Sequence, residues 1–198
     1  MELTTIMTQH GSDKGRGHHN YTIFYSELLQ DLVDKPGVKV FELGIGTNNP
    51  NLPSSMGIEG IPGASLRGWR DWFKQADVYG ADIDKDILIQ EDRIKTYYVD
   101  QTSTESIKEM WSKIDVDYFD FIIDDGLHEL DANYTFASNS YHKLKSGGYY
   151  IIEDIHEIYS DKVPDIKAKL EKLFSLVEYK VIPNPQNPWD NNIFIMRK

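Results

Sequence analysis

The strongest constraint on this chain is its alternation of short, nearly continuous apolar runs with longer amphipathic stretches. The runs at 38–43, 78–83, 94–99, 119–123 and 149–152 are too short for buried helices and are bounded by turn residues. Such runs read as strands covered on both faces, hence a parallel sheet. Between them, apolar residues fall at helical spacing. Tyr21, Phe24, Tyr25, Leu28, Leu29 and Leu32 predict a helix over 20–32, and Leu66, Trp69, Trp72 and Phe73 predict one over 64–73. Further helices are expected at 102–114 behind Ser/Thr caps, at 130–144 stopped by Gly147-Gly148, and at 164–174 led by Pro164. The runs 176–182 and 192–196 are joined by a Pro-rich segment too short for a crossover helix, which predicts an antiparallel hairpin. The expected architecture is a doubly wound α/β fold, with a mostly parallel seven-stranded sheet ending in a C-terminal antiparallel β-hairpin.

The 198 residues suit one domain spanning 1–198. A net charge of −11 disfavours nucleic acid and anionic lipid as bulk partners. No uncharged apolar stretch reaches the roughly 18 residues of a membrane span. The chain has no cysteine, which excludes disulfides and thiolate metal sites, and Met1–Thr5 lacks the basic segment and apolar core of a signal peptide. A cytoplasmic enzyme is the expectation.

Chemistry concentrates where the apolar runs end. Asp124-Asp125-Gly126-Leu127-His128 follows one and Glu153-Asp154 another. Ligands of open α/β sheets bind at the carboxyl ends of strands. Asp125, Glu153 and Asp154 are hard oxygen donors suited to Mg²⁺, Mn²⁺ or Ca²⁺. His128, three residues after Asp125, is a candidate general base. Asp124 is expected to face a cofactor or support the turn. His156 could orient a substrate or be merely exposed, and Trp189 could stack on a sugar or anchor its loop. Trp69, Trp72 and Trp111 read as packing.

Glu42-Leu43-Gly44-Ile45-Gly46 is a strand entering a glycine turn that admits close backbone approach. Asn49 replaces the third glycine of a dinucleotide fingerprint, and a long Pro/Gly/Asn loop follows, so a pyrophosphate on a helix N-terminus is not expected. Asp82 and Asp100 end the next two strands, placed for ribose hydroxyls and an adenine amine or serving only as caps.

Taken together, Glu-x-Gly-x-Gly, Asp82, Asp100, the strand-ending Asp-Asp and the terminal hairpin resemble a class I S-adenosylmethionine-dependent methyltransferase. Gly11-Ser12-Asp13-Lys14-Gly15 with His19-Asn20-Tyr21-Thr22 and Tyr25, the stretch Pro62–Asp71, and Asp124–His128 with Glu153-Asp154 narrow the resemblance. They are similar to metal-dependent sugar O-methyltransferases of the macrolide-sugar and bacterial surface-glycan type. Ser12 stands where that pattern has Thr. The resemblance implies a Rossmann-like methyltransferase fold binding S-adenosylmethionine through Lys14, Tyr21, Glu42, Gly44, Gly46, Asp82, Asp100 and Asp124. It implies that residues 1–34 form a lid over the cofactor, with Lys14 pairing the methionyl carboxylate. It further implies a divalent ion on Asp125, Glu153 and Asp154, His128 as base, a small-molecule or glycan acceptor bearing a nucleotide-linked or glycan-linked sugar, and frequent homo-oligomerisation. Methylation of a phenol or phosphate-type oxygen, a metal-dependent hydrolase and a non-catalytic binding module are the competing readings.

Overall fold

The computed structural model describes residues 2–15 and 18–198; positions 1, 16 and 17 of the expected 1–34 lid lie outside the described residues. An eight-stranded sheet forms the centre, in the order β3-β4-β2-β1-β5-β6-β8-β7. The strands are β1 Lys39–Leu43, β2 Asp77–Asp82, β3 Gln90–Glu91, β4 Ile94–Tyr98, β5 Phe119–Asp124, β6 Leu144–Ile152, β7 Leu176–Val181 and β8 Asn192–Arg197. The pairings β2·β4, β1·β2, β1·β5 and β5·β6 are parallel, whereas β8 runs antiparallel to β6 and β7. The doubly wound plan with its C-terminal hairpin is therefore present. The strand count is corrected from seven to eight by β3, a two-residue antiparallel edge on β4 that leaves no periodicity to read.

The helices are α1 Leu3–His10, α2 Tyr21–Leu28, α3 Ala64–Trp72, α4 Thr104–Lys113, α5 Leu130–Ser140 and α6 Val163–Leu170. The helix expected over 130–144 ends early. Ser140 closes α5, a 3-10 turn takes Tyr141–Lys143, and Leu144 already begins β6. Gly147-Gly148 is thus not a helix stop but an interruption in a strand: the β5–β6 register shifts beside it, and Gly147 sits at φ 76°. The helix α1 was not anticipated. It buries Leu3, Ile6 and Met7, and the Met7 thioether presses on Gly68 of α3 so closely that a Cβ there would stand 2.2 Å from its sulfur.

Two apolar cores flank the sheet. Phe41, Trp111, Phe119 and Phe136 anchor one face, and Tyr25, Trp69, Phe73 and Phe121 the other. Both are dominated by interlocking aromatic rings; Tyr25, Trp69 and Phe121, for example, meet pairwise at centroid distances of 5.6–5.7 Å. Among the described residues no helix is long and apolar enough to cross a membrane.

The central strands place the site. Leu43 pairs with Asp124 and Asp124 with Ile152, so the residues that follow them leave the sheet side by side. Backbone bonds extend the ladder one step: Asp125 N–H donates to Leu43 O at 2.8 Å and Glu153 N–H to Asp124 O at 2.9 Å. Gly44, at φ 80°, lets the chain pass under this edge; a Cβ there would meet Asp125 O at 1.9 Å. We predict that Gly44→Ala lowers unfolding stability by about 3 kcal/mol or more, because both the clash and the left-handed backbone oppose it. Chemical denaturation with an unchanged midpoint would refute this packing.

Candidate active site

Four carboxylates converge at the carboxyl edge, one from β1 and three from the turns after β5 and β6. Their centre holds a lysine. The Lys14 Nζ donates to Asp125 Oδ2 and to Glu153 Oε2 and lies 3.5 Å from Glu42 Oε1. Lys14, Glu42 and Glu153 are each at most 2 % exposed, so these charges have no water to fall back on. The remaining oxygens are matched by neutral donors. Tyr25 OH donates to Glu153 Oε1 at 2.5 Å, Tyr21 OH to Asp154 Oδ1 at 2.7 Å, and Ser65 Oγ and Trp69 Nε1 to Glu42 at 2.7 and 2.6 Å. Trp69 therefore does more than pack.

His128 and Asp154 complete the cluster. Both hold left-handed backbone, at φ 62° and 54°. That conformation costs a non-glycine residue of order 1–3 kcal/mol and concentrates at functional sites. The His128 Nε2 is 3.2 Å from Asp125 Oδ1 and 3.6 Å from Asp154 Oδ2. The backbone amide of Asp154 donates to Tyr21 OH at 3.3 Å, which helps fix the turn.

Crowding of like charge sets the protonation of the cluster. Burial raises the Glu153 carboxyl well above the ordinary range against the pull of Lys14, and the neighbouring carboxylates add to the rise. Burial and the Asp125 carboxylate likewise raise Asp154. For Asp125, burial is outweighed by the Lys14 ammonium and His128, which hold it below the carboxylate range. Burial disfavours a charged His128, but the bond to Asp125 and the Asp154 carboxylate win and raise it to about 9. Asp125, held ionised beside Lys14 and His128, is the carboxylate of the cluster that most favours a cation. One ligand atom each from Asp125, His128 and Asp154 lies within 4.8 Å of the others. Two hard carboxylates at that spacing fit a divalent cation such as Mg²⁺. Glu153 lies beside them with both oxygens engaged by Lys14 and Tyr25.

A cleft of about 330 Å³ opens beside this cluster. Gly44, Gly46, Asp82, Asp100 and Gln101 line it, while Lys14, Asp125, His128 and Asp154 face it from the other side. Asp82 is buried and accepts from Ile45 N–H and Asp84 N–H, both at 2.9 Å; burial raises its carboxyl despite those bonds. Asp100 caps the turn into α4 by accepting from Thr102 N–H and Oγ1 at 2.9 and 2.7 Å, yet lines the cleft as well. Asp124 supports its turn: Gln101 Nε2 donates to both its oxygens at 2.9 and 3.0 Å, and burial pushes the carboxyl up to about 7.

Tyr21 meets Asp154 and Glu42 meets Lys14, Ser65 and Trp69, so these two stand behind the cleft wall and are absent from its lining. Lys14 is at the wall, with its ammonium paired inside the protein. His156 accepts from Ile158 N–H at 3.2 Å in a local cap, and Trp189 is 54 % exposed in its loop. Gln101 was not singled out in the sequence. Its amide also accepts from Leu127 N–H at 2.8 Å, so one side chain ties the turn after β4 to the turn after β5. The only signal was a polar residue directly after strand-ending Asp100.

No protein-family model matches the chain. Among curated relatives, 8-demethyl-8-alpha-L-rhamnosyl tetracenomycin-C 2'-O-methyltransferase of Streptomyces olivaceus is 32 % identical over 157 residues, covering 79 % of this chain and 38 % of the relative. L-olivosyl-oleandolide 3-O-methyltransferase of Streptomyces antibioticus is 32 % identical over 161 residues, covering 79 % and 38 %. The chain thus spans under two fifths of the length of these relatives. Among solved structures, MycE methyltransferase from the mycinamycin biosynthetic pathway, in complex with Mg and SAH, superposes with a TM-score of 0.67 at 27 % identity, over 87 % of this chain and 41 % of that one. A spermidine synthase from Thermotoga maritima shares the fold at a TM-score of 0.56 and 13 % identity, covering 88 % of this chain and 59 % of that one.

Removing the central cation should expose the cost of gathering these acids. We predict that Lys14→Met destabilises the chain by about 3–5 kcal/mol near neutral pH. The loss should be largest at about pH 8 and shrink toward about pH 5. Glu153 and Asp154 have raised folded values, so above their unfolded values rising pH strips protons the folded state prefers to keep. Thermal melts across that range that show a constant deficit would remove Lys14 as counterion.

Proposed function

Because the chain is homologous to sugar O-methyltransferases and has the fold of S-adenosylmethionine-dependent methyltransferases, we propose that it methylates a sugar hydroxyl on a glycosylated or nucleotide-linked acceptor, using S-adenosylmethionine and a divalent ion. One observation carries the reading. The cleft that admits a cofactor shares a wall with Asp125, Asp154 and His128, so donor and acceptor sites are contiguous. When bound, the cofactor supplies an electrophilic methyl group and the cation supplies charge that favours loss of the hydroxyl proton.

The chain's own residues do the rest. Asp125 and Asp154 would hold the cation, with Glu153 behind them and Tyr25 and Lys14 fixing its carboxylate. His128 would accept the proton of an acceptor hydroxyl held beside it, and a bound methyl donor would supply the methyl group that this oxygen takes up. The bond to Asp125 and the Asp154 carboxylate raise this imidazole to about 9 against the effect of burial. Positive charge on those carboxylates would remove that cause and favour the neutral ring that accepts a proton. Asp82, Asp100 and the Gly44–Gly46 turn form the cofactor side of the cleft. Lys14 and Tyr21 reach over the acidic side, and we assign the 1–34 segment as a lid on that basis. The Ile155–Val163 segment and the 183–192 loop are where acceptor selectivity belongs.

The test is methyl transfer from labelled S-adenosylmethionine to a panel of glycosides, nucleotide sugars and surface-glycan fragments, with phenols and phosphate esters as the contrasting set. Transfer confined to the contrasting set would replace a sugar acceptor with another oxygen. Absence of any cofactor-induced thermal shift would end the methyltransferase reading. With an active acceptor, His128→Ala should lower kcat by about 10²–10⁴-fold and leave cofactor affinity nearly unchanged. Chelation should abolish activity and Mg²⁺ restore it; full turnover in EDTA would take the cation out of the reaction.

A further inference from the structure

Next to the acidic cluster, the structure gathers a second set of metal-ligating groups with different chemistry. His18, His19 and Asp190 each offer one ligand atom, and these atoms all lie within 4.8 Å of one another. Two are imidazoles from the segment before α2, and the third is a carboxylate from the loop between β7 and β8. A two-nitrogen, one-oxygen set suits a borderline ion such as Zn²⁺, whereas the oxygen pair Asp125 and Asp154 suits Mg²⁺.

The surroundings orient these groups. The Nδ1 of buried His19 lies 3.2 Å from Asn191 Oδ1, and its Nε2, 3.9 Å from Asp13 Oδ2, is the nitrogen left to face a ligand. His19 also stacks on Tyr21 at 5.0 Å between centroids and meets the His18 ring edge-on at 4.9 Å. Asn187 Nδ2 donates to Asp190 Oδ1, and the Asp190 carbonyl accepts from Tyr21 OH at 3.2 Å. A second contact set already stitches the same two segments: Asn184 Nδ2 to His18 O at 2.8 Å and Asn191 Nδ2 to Asn20 Oδ1 at 2.8 Å. Supporting bonds to the other atom of a ligating side chain are the usual second layer of a metal site.

We propose that His18, His19 and Asp190 form a second cation site, selective for Zn²⁺-like ions over Mg²⁺, that clasps the N-terminal cover to the 183–191 loop. The cation would bridge positions 18 and 19 to position 190, so its occupancy would tie these two segments together. It also sits next to the hard-ion cluster, because His19 Nδ1 is 3.5 Å from Asp154 Oδ1. The site stands independently of the reaction assigned above.

The test is titration of the metal-free full chain with Zn²⁺ in excess Mg²⁺ by calorimetry, with Co²⁺ absorption reporting imidazole ligation. One equivalent should bind in wild type. His18→Ala and Asp190→Asn should each weaken binding about tenfold or more, and Asp125→Asn should leave it unchanged. Zn²⁺ should also slow proteolytic cleavage within residues 11–20, reversibly with chelator. His18 is exposed, so loss of fold is not expected of its variant, and melts of both variants verify this. Unaltered Zn²⁺ affinity in His18→Ala and Asp190→Asn, or loss of binding in Asp125→Asn, overturns the proposal. The latter would place Zn²⁺ in the hard-ion cluster instead.

Discussion

The contact on which the rest depends is the buried ammonium of Lys14 among the carboxylates of Glu42, Asp125 and Glu153. Three strand ends bring negative charge to one edge of the sheet. Without a cation at their centre, burial and mutual repulsion would force protons onto these acids or splay the strands apart. Lys14 supplies the charge from a segment remote in sequence. The N-terminal cover is therefore electrostatically part of the sheet edge. This also explains why tyrosines rather than phenylalanines stand at 21 and 25: each hydroxyl satisfies an acid oxygen that the lysine does not reach.

That arrangement separates two kinds of work within one cleft. Glu42, Glu153, Tyr25 and Trp69 form a dry, fully bonded layer behind the wall. Asp125, His128 and Asp154 form the wall itself and present two carboxylates and an imidazole to the open side. The backing layer restrains the wall, and the wall keeps the affinity for a cation. In the reading proposed above, this division places a cation and a base together on the open side of the cleft.

Much of this was legible in sequence, for definable reasons. The five parallel strands and the hairpin are continuous apolar runs, and burial on two faces leaves no other pattern. Strand ends were legible too, so Asp82, Asp100, Asp125 and the Glu153-Asp154 pair could be placed without coordinates. The helix α1 escaped because its three threonines and short length give weak helical signal, and it forms by packing Met7 on α3. Gly147-Gly148 misled because glycine ends helices and also interrupts strands. The contacts of Lys14 with Asp125 and Glu153, separated from it by 111 and 139 positions, leave no mark in the sequence. No local rule encodes contacts of that range, and Gln101 was hidden for the same reason.

The left-handed backbone at His128 and Asp154 has an evolutionary consequence. Glycine at both positions would relieve the strain, as it does at Gly44, Gly46 and Gly63; Ser54 and Arg93 are the other non-glycine residues with left-handed backbone among the described residues. The chain carries an imidazole and a carboxylate at 128 and 154 instead. Descendants that lose the chemistry should drift toward glycine at 128 and 154 first, gaining stability as they do. Glycine at those two positions would then mark a scaffold that has outlived its reaction.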